Sequence, residues 1–329
     1  MKILSWHQLQ KNNIRKFTLL LIQLLIVTFA QAQNGKIINK EKLILSDATL
    51  NKIKKADSTL ITSLKNIEFY KITYLSDSLE IKGFIAKPVQ KGNFPCIISN
   101  RGGTGNFGNW NETGIGFFLG KLASWGYVVV ASQYRGNGGS QGKEEAGGKD
   151  INDVLNLLPT LNEIDNADTS RIGIEGASRG GMMTYLALKK TCEFKAAVVL
   201  AGAANSFKQL ESRPEMEEHV FAKYIPNYQQ NKEEELKARS AVFWADKICK
   251  TTPLLLMHGS ADWRVKASES LELVNKLYEY KHPVRFMLFE GAEHGLREFR
   301  NQYFTQTKSF FDYYLKNNND LPNMELHGR

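Results

Sequence analysis

Cysteine is scarce, with three in 329 residues. That excludes a small scaffold held together by disulfides. No C-x-x-C, no H-E-x-x-H and no paired histidines on a helix face occur, so metal-assisted hydrolysis has no signature and no metal or cofactor is expected. Proline is rare, 8 against 26 glycines, and the glycines show no three-residue period, which excludes a collagen-like chain. No apolar run reaches the roughly 20 residues of a membrane-spanning helix. The lysines are scattered and form no basic patch, so nucleic acid is not an expected partner.

What is present is 42% hydrophobic and 23% charged residues, enough for a buried core and against global disorder. The first 32 residues carry Lys2, Lys11, Arg15 and Lys16 and no acid, then an apolar stretch from Phe17 to Ala30, then Ala30-Gln31-Ala32. A basic start, a short apolar run and an A-x-A end read as a secretory signal peptide cleaved after Ala32, and predict a secreted or periplasmic chain with no stable membrane span. The remainder has 39 basic and 34 acidic residues, a modest positive balance.

Residues 33–66 are polar and lysine-rich and read as an N-terminal extension, with Ser46 and Asp47 capping a short helix that carries Leu50 and Ile53. Glu68–Leu75 and Leu79–Lys87, separated by Ser76-Asp77-Ser78, read as an antiparallel strand pair. From there short apolar strands (Phe94–Ser99, Tyr127–Ala131, Arg171–Glu175, Ala196–Leu200, Pro253–Met257, Val284–Phe289) alternate with helical stretches (Ile115–Trp125, Asp150–Leu161, Ser178–Lys190, Ala267–Tyr280, Phe299–Lys316). That alternation predicts an α/β fold with a mostly parallel sheet covered on both faces, over residues 67–318. Residues 202–250 interrupt it with helical but no strand signal, as either an ordinary insertion or a cover over the site.

Gly176-Ala177-Ser178-Arg179-Gly180 fits G-x-S-x-G, directly after one strand and opening a helix. This is the setting of a nucleophile elbow: a sharp turn presents the serine hydroxyl, and glycines at 176, 180 and 181 let strand and helix cross closely. A serine needs a base and the base needs an orienting acid, in the chain order Ser, acid, His. His294, in Glu293-His294-Gly295 after the last strand, is the candidate base. Asp262, in His258-Gly259-Ser260-Ala261-Asp262, is the candidate acid, preferred over Glu290 and Glu293, which lie too near His294 in sequence. Ser178 Oγ is expected within about 3.5 Å of His294 Nε2. His258 reads as structural, and His219, His282 and His327 as solvent-facing. The N–H of Arg179 is one expected oxyanion donor, and the loop Asn100-Arg101-Gly102-Gly103-Thr104-Gly105 is expected to supply the second. No Lys-Ser/Thr pair follows these glycines, so the loop is not a phosphate-binding P-loop.

These motifs, with Tyr134-Arg135-Gly136-Asn137-Gly138-Gly139-Ser140 and Gly148-Lys149-Asp150, occur in an order that resembles an α/β-hydrolase, most of all the catalytic domain of the prolyl oligopeptidase family, over residues 70–318. The resemblance implies a serine hydrolase acting on small peptides or esters through an acyl-enzyme, without cofactor. A lipase or carbohydrate esterase on the same fold, and a non-catalytic binding module, are the competing readings. The family's peptidases carry a β-propeller, for which the roughly 60 residues between Gln33 and the sheet region are too few. The family often has a Tyr before the glycine pair as an oxyanion donor, where this chain has Arg101. Arg101 then either replaces that donor, holds a substrate carboxylate or pairs with an acid in the fold. With Arg179, it predicts a preference for negative charge on the acyl side. Finally, Cys192 and Cys249 each precede a strand by four residues. If those strands are neighbours the two can bond, leaving Cys96 a buried thiol.

Overall fold

Val128–Ser132 and Leu254–Gly259 are buried at every position, as befits strands covered on both faces. They belong to a nine-stranded sheet in a computed structural model that describes residues 33–328. The signal-peptide stretch lies outside the described residues. The strands are β1 (Ile37–Leu43), β2 (Ile67–Ser76), β3 (Leu79–Pro88), β4 (Phe94–Asn100), β5 (Val128–Ser132), β6 (Ala167–Ala177), β7 (Phe194–Leu200), β8 (Leu254–Gly259) and β9 (Val284–Phe289), ordered β1-β2-β3-β5-β4-β6-β7-β8-β9. β1, β2 and β3 pair antiparallel, as do β3 and β5, and every other pairing is parallel. The fold is the α/β-hydrolase sheet with an antiparallel N-terminal edge.

Strand order reverses at β4: β5 lies on one side of it and β6 on the other. The loops leaving the carboxyl ends of β4 and β6 therefore diverge, and the crevice between them is where open α/β sheets bind ligands. One apolar layer, with Ile98, Ile174 and Val199, packs on the helices Arg179–Lys190 and Ala267–Glu279. The opposite layer, with Ile97, Val198 and Leu255, packs on the C-terminal helix Arg300–Phe311 and the segment around Phe117.

Several elements differ from the sequence reading. β1 lies inside the 33–66 extension, where only a helix was expected. Five of its seven residues are exposed, so it carries no hydrophobic period; it forms because the edge of β2 offers main-chain partners, from Ile37 opposite Tyr74 to Leu43 opposite Phe69. A charged edge strand of this kind also blocks further pairing. The helix Asp47–Ala56 has the expected Ser46 cap, whose hydroxyl accepts from Thr49 N–H, and a second helix, Ser58–Leu64, follows, capped by Asp57. The stretch 150–161 is two short helices, Ile151–Leu155 and Leu157–Leu161, separated at Asn156.

β7 and β8 are parallel neighbours, which brings Cys192 and Cys249 to one edge of the sheet. They are bonded, with Cα atoms 5.5 Å apart, and burial pushes the remaining Cys96 thiol up to about 12. His282 is a correction: it is buried, not solvent-facing. Its Nε2 bonds Cys249 O at 3.1 Å, and burial pushes its imidazole down to about 4. Among the described residues no helix is long and apolar enough to cross a membrane.

Candidate active site

Ser178 follows β6 directly and opens the helix Arg179–Lys190 with φ 57° and ψ −123°. A left-handed φ at a non-glycine residue costs energy, and the surroundings enforce it here. A Cβ on Gly176 would lie 2.2 Å from Gly180 O, one on Gly180 2.1 Å from Asn100 O, and one on Gly181 2.5 Å from Gly202 Cα. Only glycine allows these approaches, and they turn Ser178 out of the sheet at the strand-order reversal.

Asp262 follows β8 and His294 follows β9, so both stand at the carboxyl edge beside Ser178. His294 Nδ1 lies 2.6 Å from Asp262 Oδ2. The same oxygen meets His258 Nε2 at 3.1 Å, and Asp262 Oδ1 accepts the N–H groups of Arg264 (2.8 Å) and Val265 (3.1 Å). Burial alone would raise this carboxyl, but the hydrogen bonds from His258 and His294, the His294 charge and the Val265 N–H outweigh it and hold Asp262 well below the usual carboxylate range. His258 has its Nε2 also 2.8 Å from Val265 O, an acceptor only, so Nε2 carries the proton while Nδ1 accepts from Ser270 Oγ at 2.8 Å. His258 is thus a buried brace for Asp262. Glu293 instead accepts the Arg297 N–H.

Ser178 and His294 line one cleft, yet no hydrogen bond joins them among the described residues. Such bonds are often loose without substrate and tighten on binding. Above Ser178 passes the loop after β4. A Cβ on Gly102 would lie 3.4 Å from Ser178 Cβ, so this backbone approaches Ser178 directly. The N–H groups of Gly102 and Arg179 have no partner among the described residues, which leaves both free to donate.

The two arginines are placed differently from the sequence reading. Arg101 neither offers an oxyanion donor nor pairs with an acid. Its five N–H groups go to the carbonyls of Gln133, twice, and of Gly102, Phe107 and Gly105, which exhausts its donors. Burial and the neighbouring Arg179 charge pull its guanidinium down to about 10. Arg179 is neutralised: Nη1 lies 2.8 Å from Glu144 and Nη2 2.5 Å from Asp150, with Gly103 O accepting at 2.9 Å. Both guanidiniums stack on the Tyr134 ring, at 4.9 and 4.8 Å. The Tyr134-Arg135 and Gly148-Lys149-Asp150 motifs are therefore a lattice that holds the loops, with Arg135 tied to Asp153 and Asp77. Neither arginine is arranged to read substrate charge.

Two cavities meet at Ser178. One, about 320 Å³, is roofed by the 202–250 segment through Gln209, Arg213, Met216, Val220 and Phe221. The other, about 480 Å³, contains His294 and is walled by aromatic side chains. Among the described residues no group of three His, Cys, Asp or Glu stands close enough to hold a metal ion. Sequence reasoning missed Glu144, the link from His258 to Asp262, and Glu175. A charge in an otherwise apolar buried strand was the available signal for the last.

The prolyl oligopeptidase family model matches residues 118–320. The chain is 30% identical over 231 residues to the uncharacterised peptidase YtmA of Bacillus subtilis, covering 70% of this chain and 87% of that one. It is 28% identical over 201 residues to dipeptidyl aminopeptidase BIII of Pseudoxanthomonas mexicana, covering 57% of this chain and 29% of that protein. Among solved structures it resembles the Pyrococcus horikoshii acylaminoacyl peptidase, with TM-score 0.66 and 28% identity, over 79% of this chain and 44% of that one. It thus spans less than half of these two larger relatives while covering most of YtmA. With this match over most of the sheet region, on an elbow, an Asp–His pair and a shared crevice, the chain belongs to the prolyl oligopeptidase family and is a serine hydrolase of the peptidase type.

Proposed function

We propose that this chain is a secreted serine peptidase that cleaves short, unstructured peptides, and activated short-chain esters more readily, through an acyl-enzyme on Ser178. The observation that carries it is the strained Ser178 in one cleft with His294, whose other nitrogen sits 2.6 Å from the buried Asp262. His294 Nε2 takes the Ser178 proton as Oγ attacks the carbonyl carbon. The N–H groups of Arg179 and Gly102 hold the resulting oxyanion. His294 then returns the proton to the leaving group, and water repeats the cycle on the acyl-enzyme. Asp262 fixes the His294 tautomer, and His258 fixes Asp262.

Substrate class follows from the cavities. Each is the size of a small ligand, neither belongs to a second domain among the described residues, and the site offers little remote binding energy. Amides, with their poorer leaving groups, need more of that energy than activated esters. The dipeptidyl and acylaminoacyl peptidases among the relatives support peptides over lipids or glycans. Secretion rests on the N-terminal stretch and is supported by the Cys192–Cys249 bond, which suits an oxidising compartment.

A fluorophosphonate probe tests the nucleophile: it labels the wild type and not Ser178→Ala. A panel of short acyl esters, aminoacyl amides and prolyl amides then orders the substrates. No labelling of the wild type overturns the enzymatic reading. Fractionation of expressing cells with N-terminal sequencing tests secretion, with Gln33 expected as the first residue.

A further inference from the structure

Glu175 has no role in the chemistry described above, and its surroundings do not explain it as a structural group. It lies on β6, three residues before Ser178, on the face that looks toward the C-terminal helix. One carboxyl oxygen accepts the Ser99 hydroxyl; no other hydrogen bond reaches this carboxyl among the described residues, and Glu175 lines the 480 Å³ cleft. Burial raises this carboxyl to about 7 despite the Ser99 bond. The other buried acids of this region are matched by arginines: Asp153 by Arg135, Glu144 and Asp150 by Arg179. Glu175 alone among these has no cation.

The cleft is the leaving-group side. His294 lines it and does not line the cavity under the 202–250 segment. Because the histidine protonates the departing amine, the leaving group departs on the side where His294 stands. Apolar and aromatic side chains make up much of the cleft wall, among them Leu200, Trp110, Phe117, Phe118, Tyr303 and Phe304, and Phe117 and Phe304 pack edge to face at 6.0 Å. At ~3.3 Å per residue along a strand, Glu175 lies about 10 Å below the nucleophile. At the mouth the charge is opposite. Arg264 stacks on Trp263 and Phe107, Arg300 on Phe117, and Arg297 lies 3.8 Å from Glu293.

We propose that this cleft is a leaving-group subsite for a basic amino acid, whose aliphatic stem lies along the aromatic walls and whose cationic tip rests on Glu175. A lysine side chain has that division of an apolar stem and a charged end, and the aromatic faces add cation–π attraction for the tip. The positive mouth suits the carboxylate of the same residue, so a ligand with a cation at depth and an anion at the rim satisfies both ends. The inference rests on the serine-hydrolase reading and names the substrate class on one side of the scissile bond.

Acyl transfer reads this subsite without knowledge of the acyl-side preference. The full chain is acylated with p-nitrophenyl acetate near pH 8, and lysine, norleucine or glutamate is added as acceptor. In the productive step the acyl–Oγ bond of Ser178 breaks, an acyl–N bond forms, and the amine proton passes through His294 to Ser178 Oγ. The Nα-acetyl amino acid is measured against free acetate. Lysine and norleucine differ essentially in the ammonium group, and the wild type is expected to favour lysine by about tenfold or more, which corresponds to about 1.4 kcal/mol. Glu175→Gln should bring that ratio to within about twofold, and Glu175→Leu should favour norleucine. Equal partition in the wild type, a preference for glutamate, or a lysine preference that survives both substitutions overturns the proposal. The wild-type comparison needs no variant to fold. Nitrophenol release without lysine preference overturns this subsite alone; no nitrophenol release overturns the serine-hydrolase reading and the subsite with it.

Discussion

Ser178 divides the site into two regions that hold polar groups differently. Around Tyr134, on the Arg179 side, the charges are paired or bonded to carbonyls, although Arg179 Nε itself has no partner among the described residues. Arg179 faces Glu144 and Asp150, Arg101 gives all its donors to carbonyls, and Tyr134 lies between the two guanidiniums. On the His294 side groups remain open: His294 Nε2 has no partner among the described residues, Glu175 has none beyond the Ser99 hydroxyl, and the N–H of Gly102 is unused. The difference teaches that charge near Ser178 is not by itself a sign of chemistry. A side chain whose charge is paired across the fold builds the wall, and one left without such a pair is the candidate to meet the substrate. Substitutions on the open side should cost rate with little stability, and those on the paired side the reverse.

The largest expected effect is on the open side. Ser178→Ala and His294→Ala should each lower ester turnover on the order of 10³-fold or more, with little change in the thermal midpoint. Asp262→Asn, which puts His294 in the wrong tautomer, should cost about 10³- to 10⁴-fold. A large fall in midpoint with turnover per folded molecule retained would break the comparison here.

On the paired side Arg179→Met leaves two buried carboxylates without their cation and should destabilise by about 3–5 kcal/mol, read by urea unfolding. Turnover per folded molecule should change by less than about tenfold, and acidic and neutral substrates should be affected alike. A selective loss on acidic substrates, with an unchanged unfolding midpoint, would return Arg179 to the substrate-reading role.

His258 sharpens the boundary, because it is buried and paired yet touches the open side through Asp262. His258→Gln should destabilise by about 1–3 kcal/mol and lower kcat by roughly tenfold with KM nearly unchanged. A loss confined to stability would place it wholly in the wall.

The last effect appears only as pH is varied and should leave turnover near pH 5 unchanged. Glu269 is fully buried and accepts the N–H groups of Ala204 and Asn205 at the start of the 202–250 segment. Burial, only partly offset by these bonds, raises it to about 7. A carboxyl raised in the folded state binds more protons there than in the unfolded chain, so its contribution falls as pH rises from about 4.5 to about 7. Glu269→Gln should therefore change little at pH 5 and gain up to about 3 kcal/mol relative to the wild type at pH 8. A difference that does not vary with pH would show that this carboxyl is not the titrating group.

Much of this was legible in the residues because it depends on local geometry. A serine between glycines, after a strand and before a helix, implies the turn at Ser178 wherever the rest of the chain goes. The spacing of Asp262 and His294 implies one return to the same sheet edge. The strand β1 was not legible, since IINKEKL has no apolar period and its pairing depends on the exposed edge of β2. His282 was misread for a related reason: a polar residue in a turn is placed by what packs over it, and here the segment at Cys249 does.

The sequence by itself determined the α/β-hydrolase sheet, the elbow and the order of the candidate site residues, because strand period, turn chemistry and chain order act over a few residues or one βα unit. Only the tertiary structure decided which charged side chains near Ser178 are engaged and which are open. Arg101 and Arg179 belong to the motifs around Ser178 and are basic, which by sequence suggests substrate contact. Their partners lie dozens of residues away, at Gln133, Glu144 and Asp150, and Glu175 lacks such a partner. Whether a buried charge is satisfied depends on these long-range neighbours, and that sum is made only when the chain has folded.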